Sequence, residues 1–224
     1  MLRTLLGAGS GPRLSHDTLD GLPQNGRTDP IEYYRRPLVG YLFRERINMG
    51  LRMLGQRRFR SLLEVGYGAG AVLVALAPSV DAMAGIDLDA EPEIVDRALR
   101  ARGLDAKLLK GSVCEMPYAD GAFDLVVSFS VFEHLSAYEA GLAEVSRVLA
   151  PGGVFLLGMP AVNRTMSRLF ELIGHRDIDD DHVTTPAEVA STFARHGLRV
   201  KQRTNLGAPG GGPALYYTWL LERV

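Results

Sequence analysis

The chain has 224 residues of mixed composition, 46% hydrophobic and 23% charged, which supports one domain with a full core. Its net charge of -1 argues against a general polyanion binder, and a single cysteine, Cys114, excludes a disulfide framework and a cysteine cluster for zinc. No apolar run approaches the roughly 20 residues a membrane span needs, and Leu2 to Leu6 is too short for the apolar region of a secretion signal, so a soluble cytoplasmic protein is expected.

Residues 1–29 are rich in Gly, Ser, Pro, Asn and Asp and read as a mobile N-terminal arm. The segment 30–60 reads as a helical cap. Its apolar residues Leu38, Leu42, Phe43, Ile47, Leu51 and Leu54 are interleaved with Arg36, Arg44, Arg46, Arg52 and Arg57. Residues 1–60 hold eleven arginines against five acids, so the remainder carries the balancing negative charge. The expected reading is a solvated basic face on a packed helix. The alternatives are a wall for an anionic substrate and peripheral contact with an acidic membrane surface. Tyr33 and Tyr34 suit either a lid over a ligand or core aromatics.

Leu62-Leu63-Glu64-Val65-Gly66-Tyr67-Gly68-Ala69-Gly70 is an apolar run ending in an acid and then in three glycines at alternate positions. An apolar helical segment follows, so the order is buried strand, tight turn, helix start, as in a nucleotide-binding loop. The spacing departs from the Gly-x-Gly-x-x-Gly dinucleotide fingerprint, and a phosphate-cradling loop would need a lysine that is absent. Gly66 and Gly68 permit positive φ and close approach of a ligand. Gly70 lets the helix start near the strand. Glu64 suits a cationic or hydroxyl-bearing ligand better than a diphosphate.

A second apolar run, Ala82 to Ile86, ends at Asp87. In a βαβ unit such an acid lies beside the glycine loop and can accept both hydroxyls of a ribose. Asp89 is the fallback, although it suits a helix start ahead of Glu91-Pro92-Glu93. The strands expected are 61–65, 82–87, 106–111, 123–129, 153–158, 198–204 and 214–222, with helices at 70–77, 92–102, 136–149 and 186–196. Capping boxes are expected at Ser136…Glu139 and Thr185…Glu188, and Gly197 stops a helix. The alternation implies a doubly wound α/β sheet, mostly parallel. The last two runs, joined by a Gly-Pro loop, should pair antiparallel.

With the glycine loop, the Gly85-Ile86-Asp87 strand end, the block Gly111 to Ser128 and Leu149-Ala150-Pro151-Gly152-Gly153, the chain resembles the class I S-adenosylmethionine-dependent methyltransferases. It is similar to the branch that includes the quinone and small-molecule enzymes (type 11-like). The resemblance runs from about residue 61 to 157. It implies a Rossmann-like methyltransferase fold with strand order 3-2-1-4-5-7-6 and methyl transfer from S-adenosyl-L-methionine to an O, N or C nucleophile of a small molecule. S-adenosyl-L-homocysteine would be the product. The residues implied for the cofactor are Tyr34, Glu64, Gly66, Gly68, Gly70, Asp87, Leu88, Ser112, Val113, Ser128 and Phe129. The family often has an acid where Ser112 stands, so only a hydroxyl is offered to the adenine there. Cys114 is assigned a structural role.

The resemblance puts His134 near the mouth of the site, as a general base or a structural residue. It divides residues 30–224, a single methyltransferase domain, into the 30–60 cap, a 61–158 cofactor-binding core, a 159–185 acceptor-pocket insert and a 186–224 C-terminal sheet half. In the insert, Met166, Leu169, Phe170, Leu172 and Ile173 suggest a short amphipathic helix. The run His175 to His182 reads as a solvated loop; the alternatives are His182 as a substrate-facing base and metal ligation by its two histidines and four aspartates, which lack a rigid i, i+4 spacing, so no metal site is assigned. Two competitors are weighed. A nucleic-acid methyltransferase would show acid/Asn-Pro-Pro-aromatic after the fourth strand or a Pro-Cys pair, and the chain has neither there. A non-catalytic cofactor-binding scaffold is disfavoured by the intact loop and Asp87.

Overall fold

The computed structural model describes residues 11–26, 29–161, 182–207 and 212–224. Seven strands build one sheet: β1 (Phe59–Val65), β2 (Val80–Asp87), β3 (Lys107–Lys110), β4 (Phe123–Phe129), β5 (Leu149–Pro160), β6 (Leu198–Gly207) and β7 (Ala214–Arg223). Their order is β3-β2-β1-β4-β5-β7-β6. The first five run parallel, and β7 lies antiparallel between β5 and β6. This is the expected Rossmann-like methyltransferase arrangement. The order reverses between β1 and β4, and α/β sheets bind ligands at such a switch point, beyond the carboxyl ends of the strands.

Alternating side chains of the central strands feed two separate cores. Leu62, Leu125, Val127 and Leu156 face one, and Leu63, Val126, Phe155 and Leu157 face the other. The first core is closed by α3 (Pro37–Leu54), α4 (Ala71–Leu76) and α5 (Pro92–Arg100), through residues such as Ile47, Leu51, Leu73, Val95 and Leu99. The second is closed by α6 (Tyr138–Val148) and α7 (Pro186–Thr192), through Leu142, Val145 and Val189. Each fully buried aliphatic side chain contributes roughly 1.5–3 kcal/mol of transfer free energy. Both faces of the sheet must therefore be covered, which is why its strands read as continuous apolar runs.

Three local expectations are corrected. Residues 11–26, read as part of a mobile arm, pack onto the body instead. A short helix α1 (His16–Leu19) brings Leu14, Leu19 and Leu22 into the first core. The cause is α4, whose six residues are all buried, so something must cover its outer side. Asn48 secures the arm, its Oδ1 accepting from Leu14 N at 2.7 Å and its Nδ2 donating to Leu14 O at 3.0 Å. The cap breaks into α2 (Ile31–Arg35) and α3, because Pro37 forces Arg36 into an extended conformation. Finally, α6 starts at Tyr138 with no side-chain cap: Glu139 lies 3.4 Å from His196 Nε2 instead of turning back on Ser136. The Thr185 capping box forms as expected, with Glu188 N donating to Thr185 Oγ1 and Thr185 N to Glu188 Oε2. No described helix is long and apolar enough to cross a membrane.

Candidate functional site

The turn after β1 adopts positive φ at Gly66, Gly68 and Gly70 (76°, 47° and 81°). The space each glycine leaves is filled by protein, which revises the expected reason for them. A Cβ on Gly66 would overlap the Val131 side chain, one on Gly68 would lie 3.3 Å from Asp29 Oδ1, and one on Gly70 2.9 Å from Val95 Cγ1 in α5. The loop is thus the meeting point of the arm, α5 and the segment after β4.

Asp87 ends β2 beside this loop. Its Oδ2 accepts from Gly68 N at 2.9 Å, and its Oδ1 accepts from Asp89 N at 2.8 Å and Ala90 N at 2.9 Å. A carboxylate offers about four acceptor positions, so one remains for a ligand hydroxyl. Asp89, the fallback, is the residue whose N–H holds Asp87 in place. Leu88 between them is 71% exposed, an apolar surface at the rim.

Three acids converge on the loop. Glu64 is 4% exposed and its Oε2 has no hydrogen-bond partner. Burial raises its pKa well above the usual carboxylate range, the nearby Asp87 raises it further, and the Leu73 N–H works the other way. Asp29 accepts from Asn25 N at 2.9 Å and Ile31 N at 3.1 Å. Burial outweighs those bonds and, with Asp87 adding, pushes Asp29 up to about 6. Asn25, 3% exposed, ties the loop to the start of α5: its Nδ2 donates to Gly68 O and Glu91 O, and its Oδ1 accepts from Glu91 N. An acidic, poorly solvated site of this kind is stabilised by a cationic ligand group and opposes a diphosphate.

A cation stands on the other side. Arg46 of α3 has its guanidinium carbon 4.6 Å from the Phe43 ring centre, 5.4 Å from Tyr216 and 5.8 Å from Tyr34. Its Nη2 donates to Tyr34 Oη at 3.4 Å, and its buried Nε has no partner. Arg44 is also buried and donates to the Tyr34 carbonyl. The solvated basic face expected for this helix is therefore corrected for these two arginines: the Arg46 guanidinium lies over aromatic rings and Arg44 is tied to the Tyr34 carbonyl. Tyr34 is a core aromatic, 7% exposed, with its hydroxyl kept at Arg46.

At the end of β4, Ser128 pairs with both Val65 and Leu157, so it lies inside the sheet with a fully buried, unpartnered Oγ. The Phe129 ring lies between Gly50 of α3 and Gly158 of β5, where a Cβ on either would come within 3.0 Å or 2.5 Å of it. Ser130 has φ 58°, the one positive-φ non-glycine among the described residues. It is held by Ser130 N donating to Gly158 O at 2.9 Å and by a 3.0 Å hydroxyl contact with Tyr216. Backbone strain of this kind concentrates at functional sites.

The next turn, a 3-10 helix over Phe132–His134, carries Glu133 and His134. Glu133 is 1% exposed, its Oε2 unpartnered, and burial pushes its pKa up to about 8 against the opposing effects of Arg46 and the Ser130 hydroxyl. The ring of His134 lies 5.2 Å from that of His182. The two histidines singled out from distant parts of the sequence thus meet at the mouth of the same strand end. Next to β3, Ser112 Oγ accepts from Cys114 N at 3.1 Å, Val113 is buried in the second core, and Cys114 Sγ lies 3.7 Å from Ala137 O. The expected insert helix and the acids Asp177 to Asp181 lie outside the described residues.

Sequence reasoning missed Asn25, Asp29, Ser130 and Tyr216. Only Asp29 carried any signal, as an acid preceding Pro30 at a helix entry. The others act through contacts between distant segments.

Residues 63–157 match the profile of a methyltransferase domain family. The chain is 34% identical over 116 residues to ajmaline N-methyltransferase of Rauvolfia serpentina, covering 50% of this chain and 40% of that one. It is 33% identical over 97 residues to demethylmenaquinone methyltransferase of Thermus thermophilus, covering 42% and 44%. The matched region thus spans less than half the length of these relatives. In fold it is similar to geranyl diphosphate C-methyltransferase of Streptomyces coelicolor, solved with Mg2+, geranyl diphosphate and S-adenosyl-L-homocysteine. There the TM-score is 0.67 at 15% identity, over 94% of this chain and 93% of that one.

Proposed function

This chain carries a class I S-adenosylmethionine-dependent methyltransferase domain, and we propose that it moves a methyl group from S-adenosyl-L-methionine to an O, N or C nucleophile of a small-molecule acceptor. The observation that carries this reading is the gathering of Glu64, Asp87 and Asp29 around the glycine loop, with an unpartnered Glu64 oxygen at its buried end. That donor set fits a ligand with a ribose, an ammonium and a sulfonium. It does not fit a dinucleotide, whose pyrophosphate would meet three acids. Relatives named ajmaline N-methyltransferase and demethylmenaquinone methyltransferase support a small acceptor, and they leave the atom open.

The group supplies, when bound, a methyl made electrophilic by its attachment to a positive sulfur. The chain's residues do the rest. Asp87 accepts a ribose hydroxyl at its remaining acceptor position while its three backbone donors keep it oriented. Leu88 offers an apolar face to the adenine, and the Val113 backbone and the Ser112 hydroxyl its edge. Glu64, whose charged form is disfavoured by burial until a cation arrives, receives the ammonium. Arg46, steadied by Tyr34, receives the carboxylate, close to the β4 end where Ser128 and Phe129 stand. His134 and His182 stand where the acceptor arrives, and in a metal-free site they hold or take its proton. Positioning the acceptor about 3–3.5 Å from the methyl then supplies most of the rate.

Calorimetric titration with S-adenosyl-L-methionine, S-adenosyl-L-homocysteine and NAD+ tests this. Binding of the first two and not the third is the expected result. Absence of binding by both sulfur nucleosides would overturn the reading in favour of a scaffold that has lost the cofactor.

A further inference from the structure

Glu133, His134 and His182 form a cluster that methyl transfer by positioning alone does not require. The turn carrying Glu133 and His134 follows β4 directly. The Glu133 carbonyl accepts from Val183 N at 2.9 Å and Thr184 N at 3.2 Å, and Thr184 Oγ1 donates to Leu135 O at 2.7 Å. These bonds pin the 182–184 segment to the turn and hold His182 beside His134. One ligand atom from each of the three residues lies within 4.8 Å of the other two. The Glu133 carboxyl is buried and its Oε2 takes no hydrogen bond, an arrangement that costs free energy unless something completes it.

We propose that Glu133, His134 and His182 bind one divalent first-row transition metal, of the zinc or iron(II) kind, at the acceptor end of the site. Two imidazoles and one carboxylate suit these ions, whereas magnesium and calcium prefer all-oxygen shells. Ligand bonds of about 2.0–2.2 Å put ligand atoms roughly 3–3.5 Å apart, so the cluster must contract slightly. His134, with 40% of its side chain exposed, has the freedom to do so. Three protein ligands leave at least one position open, as catalytic rather than structural metal sites do.

The open position selects an acceptor with an oxygen donor, a phenol or alcohol. This deepening rests on the methyl-transfer reading. The metal lowers the pKa of the bound hydroxyl, whose proton passes to solvent. The oxygen's electron pair forms the O–C bond to the methyl as the C–S bond breaks, its pair staying on sulfur. The oxyanion and the sulfonium are both neutralised.

The test uses the full chain without an affinity tag, stripped with EDTA and titrated with Co2+. One equivalent should bind with a visible d–d absorption band that Zn2+ displaces. His182→Ala, His134→Ala and Glu133→Gln should each weaken Co2+ binding at least tenfold. His196→Ala, a histidine paired with Glu139 elsewhere, should leave it unchanged. If the buried Glu133 variant fails to fold, the partly exposed His134 variant decides. A missing band, or unchanged affinity in His182→Ala, would overturn the site and leave the histidines as a metal-free base pair. Calorimetry with S-adenosyl-L-methionine on the same stripped protein separates the two readings. Nucleoside binding without a cobalt band refutes the metal alone, and a cobalt band without nucleoside binding refutes methyl transfer alone.

Discussion

Gly66→Ala probes the point where the glycine loop meets the segment after β4. Two costs add at this residue. A non-glycine residue at φ 76° costs roughly 1–2 kcal/mol. The new methyl also overlaps the Val131 side chain, and overpacking a filled site costs typically 1–3 kcal/mol. The expected loss is therefore about 2–5 kcal/mol in urea unfolding. At about 2–4 °C per kcal/mol for a chain of this size, the melting temperature should fall by roughly 4–20 °C. The two terms are separable. Val131→Ala removes the clash and leaves the backbone term, so the double variant should recover about 1–3 kcal/mol of coupling energy. A Gly66→Ala loss below about 1 kcal/mol, or no coupling to Val131, would refute the contact and with it the idea that this glycine serves packing rather than ligand approach.

Asp87→Ala should weaken S-adenosyl-L-methionine binding by more than tenfold, since it removes an acceptor for the ribose and releases three backbone donors worth roughly 1.5–3 kcal/mol each; calorimetry giving wild-type affinity would end the ribose assignment. Burial and Asp87 raise the Glu64 pKa and a bound cation should lower it again, so over the pH range where this carboxyl titrates the binding heat should depend on buffer ionisation enthalpy. Glu64→Gln should abolish that dependence. Asp29 has a folded pKa raised to about 6. Its neutral form is favoured in the folded state, so its contribution is full below the unfolded pKa of 3.8 and is lost as pH rises through 6. Asp29→Asn should accordingly flatten the stability profile between about pH 4 and 7, by on the order of 1–3 kcal/mol at its upper end before the loss of one backbone hydrogen bond is counted; an unchanged slope in urea titrations would count against the shift. Arg46→Met should cost about tenfold to a hundredfold in affinity for S-adenosyl-L-methionine. It should spare 5′-methylthioadenosine, which lacks the carboxylate, and equal losses for both ligands would remove Arg46 from that role.

The order of strands and helices was legible because it depends on local repeats. Apolar runs of strand length, glycine turns and the Thr185…Glu188 box each act over a few residues, and they marked β1, β2, β4 and α7 closely. Strand boundaries were less legible. β5 begins at Leu149, not 153, because Leu149 already pairs with Phe123 across a register shift, which no local pattern encodes. The N-terminal arm was misread for a related reason. Its composition suggests mobility, but Leu14, Leu19 and Leu22 are recruited by the wholly apolar α4.

The sequence by itself determined the doubly wound α/β architecture, the glycine loop and the acid at Asp87, because short-range sterics and hydrogen bonding specify them. It also nominated His134 and His182, one at a time. Tertiary structure alone decided that these two rings stand 5.2 Å apart and that Glu133 lies buried beside them. It decided that Arg46 crosses three aromatic rings, and that Asn25 and Asp29 reach the glycine loop from the arm. Burial and electrostatic coupling are properties of groups brought together across the chain, so a pKa or a ligand set has no value until the fold has set the distances.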